Sequence, residues 1–238
     1  GYGDNNLTDE FLWAGIELFI STKDVAFLQS VTLPTNIALP QWPNVGGLGF
    51  ISLMQNLNSI PLTETQKTVI KSTFFSLADD LLYTSQNSPY RIAINSFSWG
   101  SNGDAAMQGV WLNNAWLFSK DKKYLNAAIS SLDYLLGRNA IDISFVTGFG
   151  TKSPMRIHDR RSVADGIIDP IPGYLSGGPN AKPASDCGSP AAYSCANATK
   201  WYDSDCSYST NEIAVNWNGP LAYLSGAIEA QLSNSRLI

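Results

Sequence analysis

Apolar residues recur at helical spacing through the first 136 residues of the chain, and that spacing is lost at Gly137. Between residues 8 and 22 they fall mainly on one broad helix face, and Thr8 and Asp9 can cap its start. Short polar turns such as residues 119–121 join neighbouring segments into helical hairpins. The pattern predicts an all-α toroid or bundle with helices over residues 8–22, 24–30, 45–57, 64–83, 103–118, 122–136 and 212–232.

Clusters of Gly and Pro without helical spacing fill residues 138–208. Function commonly lies on loops that a rigid scaffold holds in place. We therefore expect a long loop region over residues 138–211 to carry the active site. The predicted helices are too few for a closed double ring of helices.

The charge pattern argues against nucleic-acid binding, since 15 basic and 20 acidic residues give a net charge of −5 and no basic stripe stands out. No apolar run approaches the roughly 18 residues that a membrane span requires, so the sequence predicts no membrane segment. An uncharged or weakly charged ligand fits this composition better.

The three cysteines, Cys187, Cys195 and Cys206, lie within one loop-like stretch. This arrangement favours one local disulfide plus an odd thiol over a metal site, because zinc sites have paired short spacings and usually histidines. His158 is the single histidine of the chain. The cysteines thus indicate an exported protein, secreted or periplasmic.

Two segments of the loop region contain residue types that suit a sugar site. His158 lies in a stretch that Pro and Gly make rigid, although a lone histidine is more often structural. Residues 201–221 alternate acids, aromatics and amides, which is typical of sites that stack on and hydrogen-bond to sugars. Glu212 is the best candidate for an acid, with a solvated helix-start carboxylate as the alternative. Asp203 and Asp205 are equally interpretable as turn residues.

These segments carry a resemblance to a known family. Residues 144–160 resemble, position by position, the histidine signature of glycoside hydrolase family 9, the cellulase family with an (α/α)6 barrel, and residues 201–218 are similar to its acidic signature. Shorter similar stretches occur at residues 9–14, 99–102, 134–140 and 177–180. The resemblance implies that residues 1–238 are the C-terminal half of a single (α/α)6 catalytic domain, a six-hairpin toroid.

The resemblance also implies roles for individual residues. Glu212 would be the general acid, with His158 and Asp203 as the further catalytic residues. The substrate-binding residues would be Arg160, Trp99, Tyr208, Trp201 and Asn218. Family members invert the anomeric centre with a second carboxylate about 6.5 to 9.5 Å from the acid. No Asp-Ala-Gly-Asp-like motif supplies that base in this sequence, so we expect it on an N-terminal fragment of the same domain.

The substrate implied is cellulose, a related β-glucan or a cello-oligosaccharide, cleaved at β-1,4 bonds. An exo-acting enzyme and a non-catalytic carbohydrate-binding protein are the alternatives. No cofactor is required, but a structural calcium ion at Asp9 and Glu10 is an expectation, because some family members hold an ion at the equivalent place and calcium prefers oxygen ligands. If Cys206 forms a disulfide with Cys187 or Cys195, the bond would brace the loop of the acid.

Overall fold

Helices account for all the regular structure that the computed structural model shows over the residues it describes, 6–236. Residues that pair outside helices do so in isolated bridges. Three short 3-10 helices cover Asp186–Gly188, Ala191–Tyr193 and Asn197–Thr199. The α-helices are α1 Thr8–Thr22, α2 Val25–Gln29, α3 Gly46–Asn56, α4 Glu64–Gln86, α5 Ser101–Ser119, α6 Lys122–Leu135, α7 Arg160–Ala164, α8 Tyr208–Asn211 and α9 Val215–Arg236.

The helix starts follow local capping. The Thr63 hydroxyl accepts from the Gln66 backbone N–H, and the Gln66 side chain accepts from the Thr63 N–H, which completes a capping box for α4. The Asp121 carboxylate caps α6 in the same way. Lys120 adopts the left-handed conformation just before it, so the chain reverses between α5 and α6. The predicted hairpin of these two helices is therefore confirmed.

Helix α5 is the central element of the array. It packs against α6, α9 and α4, and it is buried on nearly every side, as expected of an inner helix. The Phe74 ring of α4 stacks on the Trp111 ring of α5 with centroids 4.5 Å apart. Beyond α4, α3 continues the array to α1. A second, smaller core around Tyr134 and Phe145 supports the loop region.

Two parts of the prediction are corrected. Helix α9 begins at Val215 instead of residue 212, because Glu212 and Ile213 are held in extended backbone by bridges to His158 and Ser176. The region predicted as loop contains α7, α8 and the 3-10 helices. Helix α7 starts where the Asp159 carboxylate accepts from the Arg161 N–H.

Both ends of the helical array present faces that the described residues do not cover. On α1, Phe11 and Leu18 lie one heptad apart and are exposed. On α9, a methyl group added at Gly219 or Gly226 would meet no atom within 4 Å. Among the described helices, none combines the length and the apolar character that a membrane crossing needs.

Candidate active site

Backbone pairing brings three loop segments together beneath the site. The His158 N–H donates to the Asn211 carbonyl at 2.9 Å, and the Gly177 N–H donates to the Glu212 carbonyl at 2.8 Å. Ser176 pairs with Ile213 in an antiparallel bridge. The segments that carry His158 and Glu212 therefore lie side by side, although 54 positions separate the two residues in the printed sequence.

The Glu212 carboxylate has an aromatic partner from a distant part of the chain. The indole N–H of Trp99 donates to Glu212 Oε2 at 3.0 Å. Trp99 precedes Gly100, whose left-handed conformation (φ 81°) turns the chain into α5. The Trp99 side chain keeps 47% of its surface exposed, so its ring remains accessible while its polar edge holds the carboxylate.

A row of aromatic rings borders Glu212. The Tyr208 ring lies 5.8 Å from the Trp99 ring and 5.9 Å from the His158 ring, the latter in an edge-to-face arrangement. A groove beside them is lined by Glu212, His158, Arg160, Tyr174 and Asn218 among others. The structure thus brings together most of the site residues predicted from the sequence.

The His158 ring is oriented by a main-chain contact. Its Nδ1 hydrogen-bonds the backbone carbonyl of Asp205. A carbonyl oxygen only accepts hydrogen bonds, so Nδ1 must carry a proton. In the neutral ring the other nitrogen, Nε2, is then an acceptor. Sequence reasoning missed Asp205 in this role, because a backbone carbonyl leaves no compositional signal.

Two neighbouring arginines differ in their partners. Arg161 pairs with Asp159 at 3.0 Å and donates to the Tyr174 hydroxyl. Burial opposes ionisation of Asp159, but hydrogen bonds from Arg161 and Ser162 outweigh it and hold the pKa of Asp159 below its usual value. The exposed Arg160 guanidinium has neither a hydrogen bond nor an ion pair to the part of the chain that the structure describes. Arg160 therefore offers its charge to the groove.

The Asp203 carboxylate is committed to the protein itself. Its Oδ2 accepts from the Met155 N–H at 2.8 Å, and its Oδ1 accepts from the Arg156 N–H at 2.9 Å and from the Asn211 amide at 3.2 Å. Asp203 therefore fixes the segment that leads into His158, which makes it a positioning residue in this structure.

Two residues predicted to bind substrate make structural contacts within the chain. Trp201 is 9% exposed, packs edge-on against Phe145 and donates its indole N–H to the Ser176 hydroxyl, so its visible contacts are with the core, and sugar binding by Trp201 stays a prediction. Asn218 lines the groove, but its amide already accepts from the Leu175 N–H and donates to the Gly173 carbonyl. Its visible effect is to hold the loop at residues 173–175.

The cysteine prediction is resolved in favour of one pairing. Cys187 and Cys206 form the disulfide, and Cys195 is a free, exposed thiol. Beside the disulfide, the buried Asp186 carboxylate accepts from the Ser209 N–H at 2.8 Å.

A buried carboxylate that sequence reasoning left aside lies close to the Trp99 loop. Asp104 accepts from the Ser98 hydroxyl at 3.1 Å, and burial raises its pKa to about 6 against the opposing effect of that hydrogen bond. The Trp217 indole packs over Gly100 and Gly103, where a methyl group would collide with it. Local spacing does not reveal either contact.

The predicted calcium residues have a different visible role. Burial disfavours the charged form of Asp9, but hydrogen bonds, above all from the Val45 N–H at 2.7 Å, lower its pKa overall. That contact joins α1 to the start of α3. Within residues 6–236, no three His, Cys, Asp or Glu side chains gather where a metal ion could be held. Calcium binding at Asp9 and Glu10 stays a prediction.

An all-helical array of hairpins whose loops bring together a carboxylate, a histidine and neighbouring aromatic rings is typical of the glycoside hydrolases of the helical class. The chain belongs to glycosyl hydrolase family 9, whose family model matches residues 1–225. A xyloglucan-specific endo-β-1,4-glucanase of Bacteroides ovatus is 36% identical over 96% of this chain. Endoglucanase D of Acetivibrio thermocellus is 34% identical over 97% of it.

Solved structures agree with the sequence relatives. A family 9 structure from Bacteroides ovatus superposes with a TM-score of 0.84 at 34% identity, over 97% of this chain and 41% of the other. A structure of AaCel9A in complex with cellobiose-like isofagomine gives a TM-score of 0.85 at 30% identity, over 96% and 44%. The chain spans 40% and 34% of the two curated relatives. Its fold is therefore a part of the (α/α)6 barrel of this family.

Proposed function

We propose that this chain is the acid-bearing part of an inverting β-1,4-glucan hydrolase of the endo-acting cellulase type. One observation carries the proposal: the Glu212 carboxylate, held by the Trp99 indole, borders a groove that also contains His158 and Arg160. The names of two relatives, both endoglucanases, support the same reaction.

The chemistry follows from the position of each group. Protonated Glu212 donates its proton to the glycosidic oxygen as the bond breaks, and the Trp99 indole aims the carboxyl at that oxygen. Trp99 and Tyr208 offer rings on which sugars stack, while Arg160 donates hydrogen bonds to sugar hydroxyls. A second carboxylate, about 6.5 to 9.5 Å from the acid, activates the attacking water in an inverting enzyme. We place that base on the complementary N-terminal part of the barrel.

The uncovered ends of the array support such a complement. Glycine inside a helix costs about 0.5 to 1 kcal/mol relative to alanine, and no described residue needs the space at Gly219 or Gly226. A helix that packs closely on α9 would need it. Exposed Phe11 and Leu18 offer an apolar contact at the opposite end of the array. We propose that the complement joins both ends and closes the ring.

Two further points complete the proposal. The Cys187–Cys206 disulfide supports export to an oxidising compartment. An exo-acting enzyme is the second candidate, because a relative that is 30% identical over 96% of this chain is named a cellulose 1,4-beta-cellobiosidase.

The test is reconstitution. The chain is co-expressed with an N-terminal complement that carries paired aspartates, and the complex is assayed on cellulose, xyloglucan and cello-oligosaccharides. Random shortening of the polymer with inversion at the new chain end is the expected result. A single small product from the first minutes would show that the enzyme is exo-acting and not endo-acting. Oligosaccharide binding without bond cleavage would overturn the enzymatic proposal.

A further inference from the structure

The residues around the disulfide form a clamp on the loop that orients His158. Cys206 is bonded to Cys187 and directly follows Asp205, whose carbonyl accepts from His158 Nδ1. On the other side of Cys206, Ser207 is fully buried and hydrogen-bonds the Tyr193 hydroxyl. The loop at residues 205–207 is thus held by contacts to residues 187 and 193, which lie in the long segment before it.

The same clamp extends to the aromatic neighbour of His158. Asp186 accepts from the Ser209 N–H in the first turn of α8. That turn begins at Tyr208, whose ring makes the edge-to-face contact with the His158 ring. Two links from the adjacent residues Asp186 and Cys187, one through a buried carboxylate and one covalent, therefore hold both groups that touch His158 from this loop.

We propose that the Cys187–Cys206 disulfide is a positioning element for His158, which it keeps in the Nδ1-protonated form by holding the Asp205 carbonyl against the ring. Nε2 is then left as the acceptor of the His158 ring, and His158 lines the groove together with Glu212 and Arg160. Loss of the bond leaves this segment held only by the Ser207–Tyr193 and Asp186–Ser209 contacts, so the Asp205 carbonyl can move away from the ring and His158 exchanges between tautomers. The catalytic consequence rests on the proposed function, whereas the tautomer does not.

The direct measurement is the state of the His158 ring, since it is the single histidine of the chain. Only this chain is labelled with 15N-histidine, and it is then assembled with the unlabelled complement. The spectrum of the complex therefore shows one pair of ring nitrogens, those of His158. We expect a protonated Nδ1 and an unprotonated Nε2 in the neutral ring of the oxidised protein. In the Cys187→Ser/Cys206→Ser variant, we expect a mixture of both tautomers.

Cys195→Ser is the matched control, because it removes a cysteine and leaves the disulfide intact. It should give the spectrum and the activity of the parent. The double variant should lose kcat on the order of tenfold, with a smaller change in KM, as expected when a group near the reacting bond is misplaced.

Reduction of the folded protein is the second route, in case the double variant fails to fold. Dithiothreitol supplies two electrons and two protons: its thiols become a cyclic disulfide, and Cys187 and Cys206 become thiols. The tautomer mixture should appear as reduction proceeds and disappear on reoxidation.

An unprotonated Nδ1 in the oxidised protein, or an unchanged tautomer after loss of the bond, would overturn the proposal. Global unfolding on reduction would also overturn the proposal, since the disulfide would then stabilise the whole fold and have no specific role in orienting the His158 ring. Absence of hydrolysis in every sample, with the tautomer change intact, would refute the proposed function while the positioning role stands.

Discussion

The Trp99 indole and the Glu212 carboxylate meet at 3.0 Å although 113 positions separate them in the chain. Trp99 is fixed by the start of α5 and Glu212 by its bridge to the His158 segment. The Glu212 carboxylate is therefore placed jointly by the helical scaffold and by the loop region.

Replacing Glu212 by glutamine should abolish proton donation without a change in shape. In the reconstituted enzyme, Glu212→Gln should lower kcat on natural glucans by roughly 10² to 10⁴, with oligosaccharide binding largely retained. Steady-state kinetics and calorimetric titration measure the two effects. Asp80→Asn, on an exposed part of α4, is the control and should keep parental rates. Near-normal turnover in Glu212→Gln would remove Glu212 from the acid role.

Two substitutions at Trp99 separate its two contacts. Trp99→Phe keeps an aromatic face and removes the hydrogen-bond donor to Glu212, so kcat should fall about tenfold while KM changes little. Trp99→Ala removes the face as well and should also raise KM. Kinetics on a cello-oligosaccharide series give both constants. Parental constants for Trp99→Phe would show that the indole N–H contributes nothing, and equal constants for the two variants would show that the aromatic face contributes nothing.

Asp203→Asn should destabilise the loop region. The carboxylate accepts from two backbone N–H groups, and an amide would turn its own NH₂ toward one of these donors. One unsatisfied donor costs about 1 to 3 kcal/mol, which should appear as a lower free energy of unfolding in urea. Asp205→Asn, two residues away, is the control, since its contact to His158 uses the main chain. Equal stability of the two variants would contradict the positioning role.

The raised pKa of Asp104 predicts a particular pH dependence of stability. Its folded-state pKa of about 6 lies above the unfolded value of 3.8, so the folded state binds more protons between these limits. Stability from this group is therefore lost as pH rises from about 4 to about 6.

Urea unfolding of the parent and of Asp104→Asn at pH 4, 5, 6 and 7 tests this dependence. From pH 4 to 7, the free energy of unfolding of the variant should rise by up to about 3 kcal/mol relative to that of the parent, because the variant carries no charge to bury. If the difference in free energy of unfolding between the variant and the parent stays constant from pH 4 to 7, the raised pKa of Asp104 is refuted.

Gly226 distinguishes the isolated chain from the assembled enzyme. Gly226→Ala should stabilise the chain alone by about 0.5 to 1 kcal/mol, because nothing contacts the position. Gly226→Trp should leave the chain folded but prevent assembly with the complement, as measured by size-exclusion chromatography with light scattering. Ser72→Trp, on an exposed part of α4, is the control for added bulk. Normal assembly of Gly226→Trp would mean that no helix packs on that face of α9.

The helices were predictable from the sequence because their signals are local. Apolar spacing and the cap at Thr63 are enough to predict α4, which the structure confirms. The start of α9 was placed too early, because Ile213 and Ala214 continue the helical spacing while distant bridges hold Glu212 and Ile213 extended. Composition likewise could not show that Trp201 faces the core, since an aromatic side chain can either stack on a sugar or pack in the core.

The contact between His158 and the Asp205 carbonyl has a consequence for surveys of natural or laboratory variation. A main-chain oxygen is present whatever the side chain, so position 205 can change freely while the ring keeps its partner. A saturation mutagenesis scan would score position 205 as tolerant and would therefore not identify the main-chain partner of His158. Cys187 and Cys206, which lie outside the groove, would score as sensitive in its place.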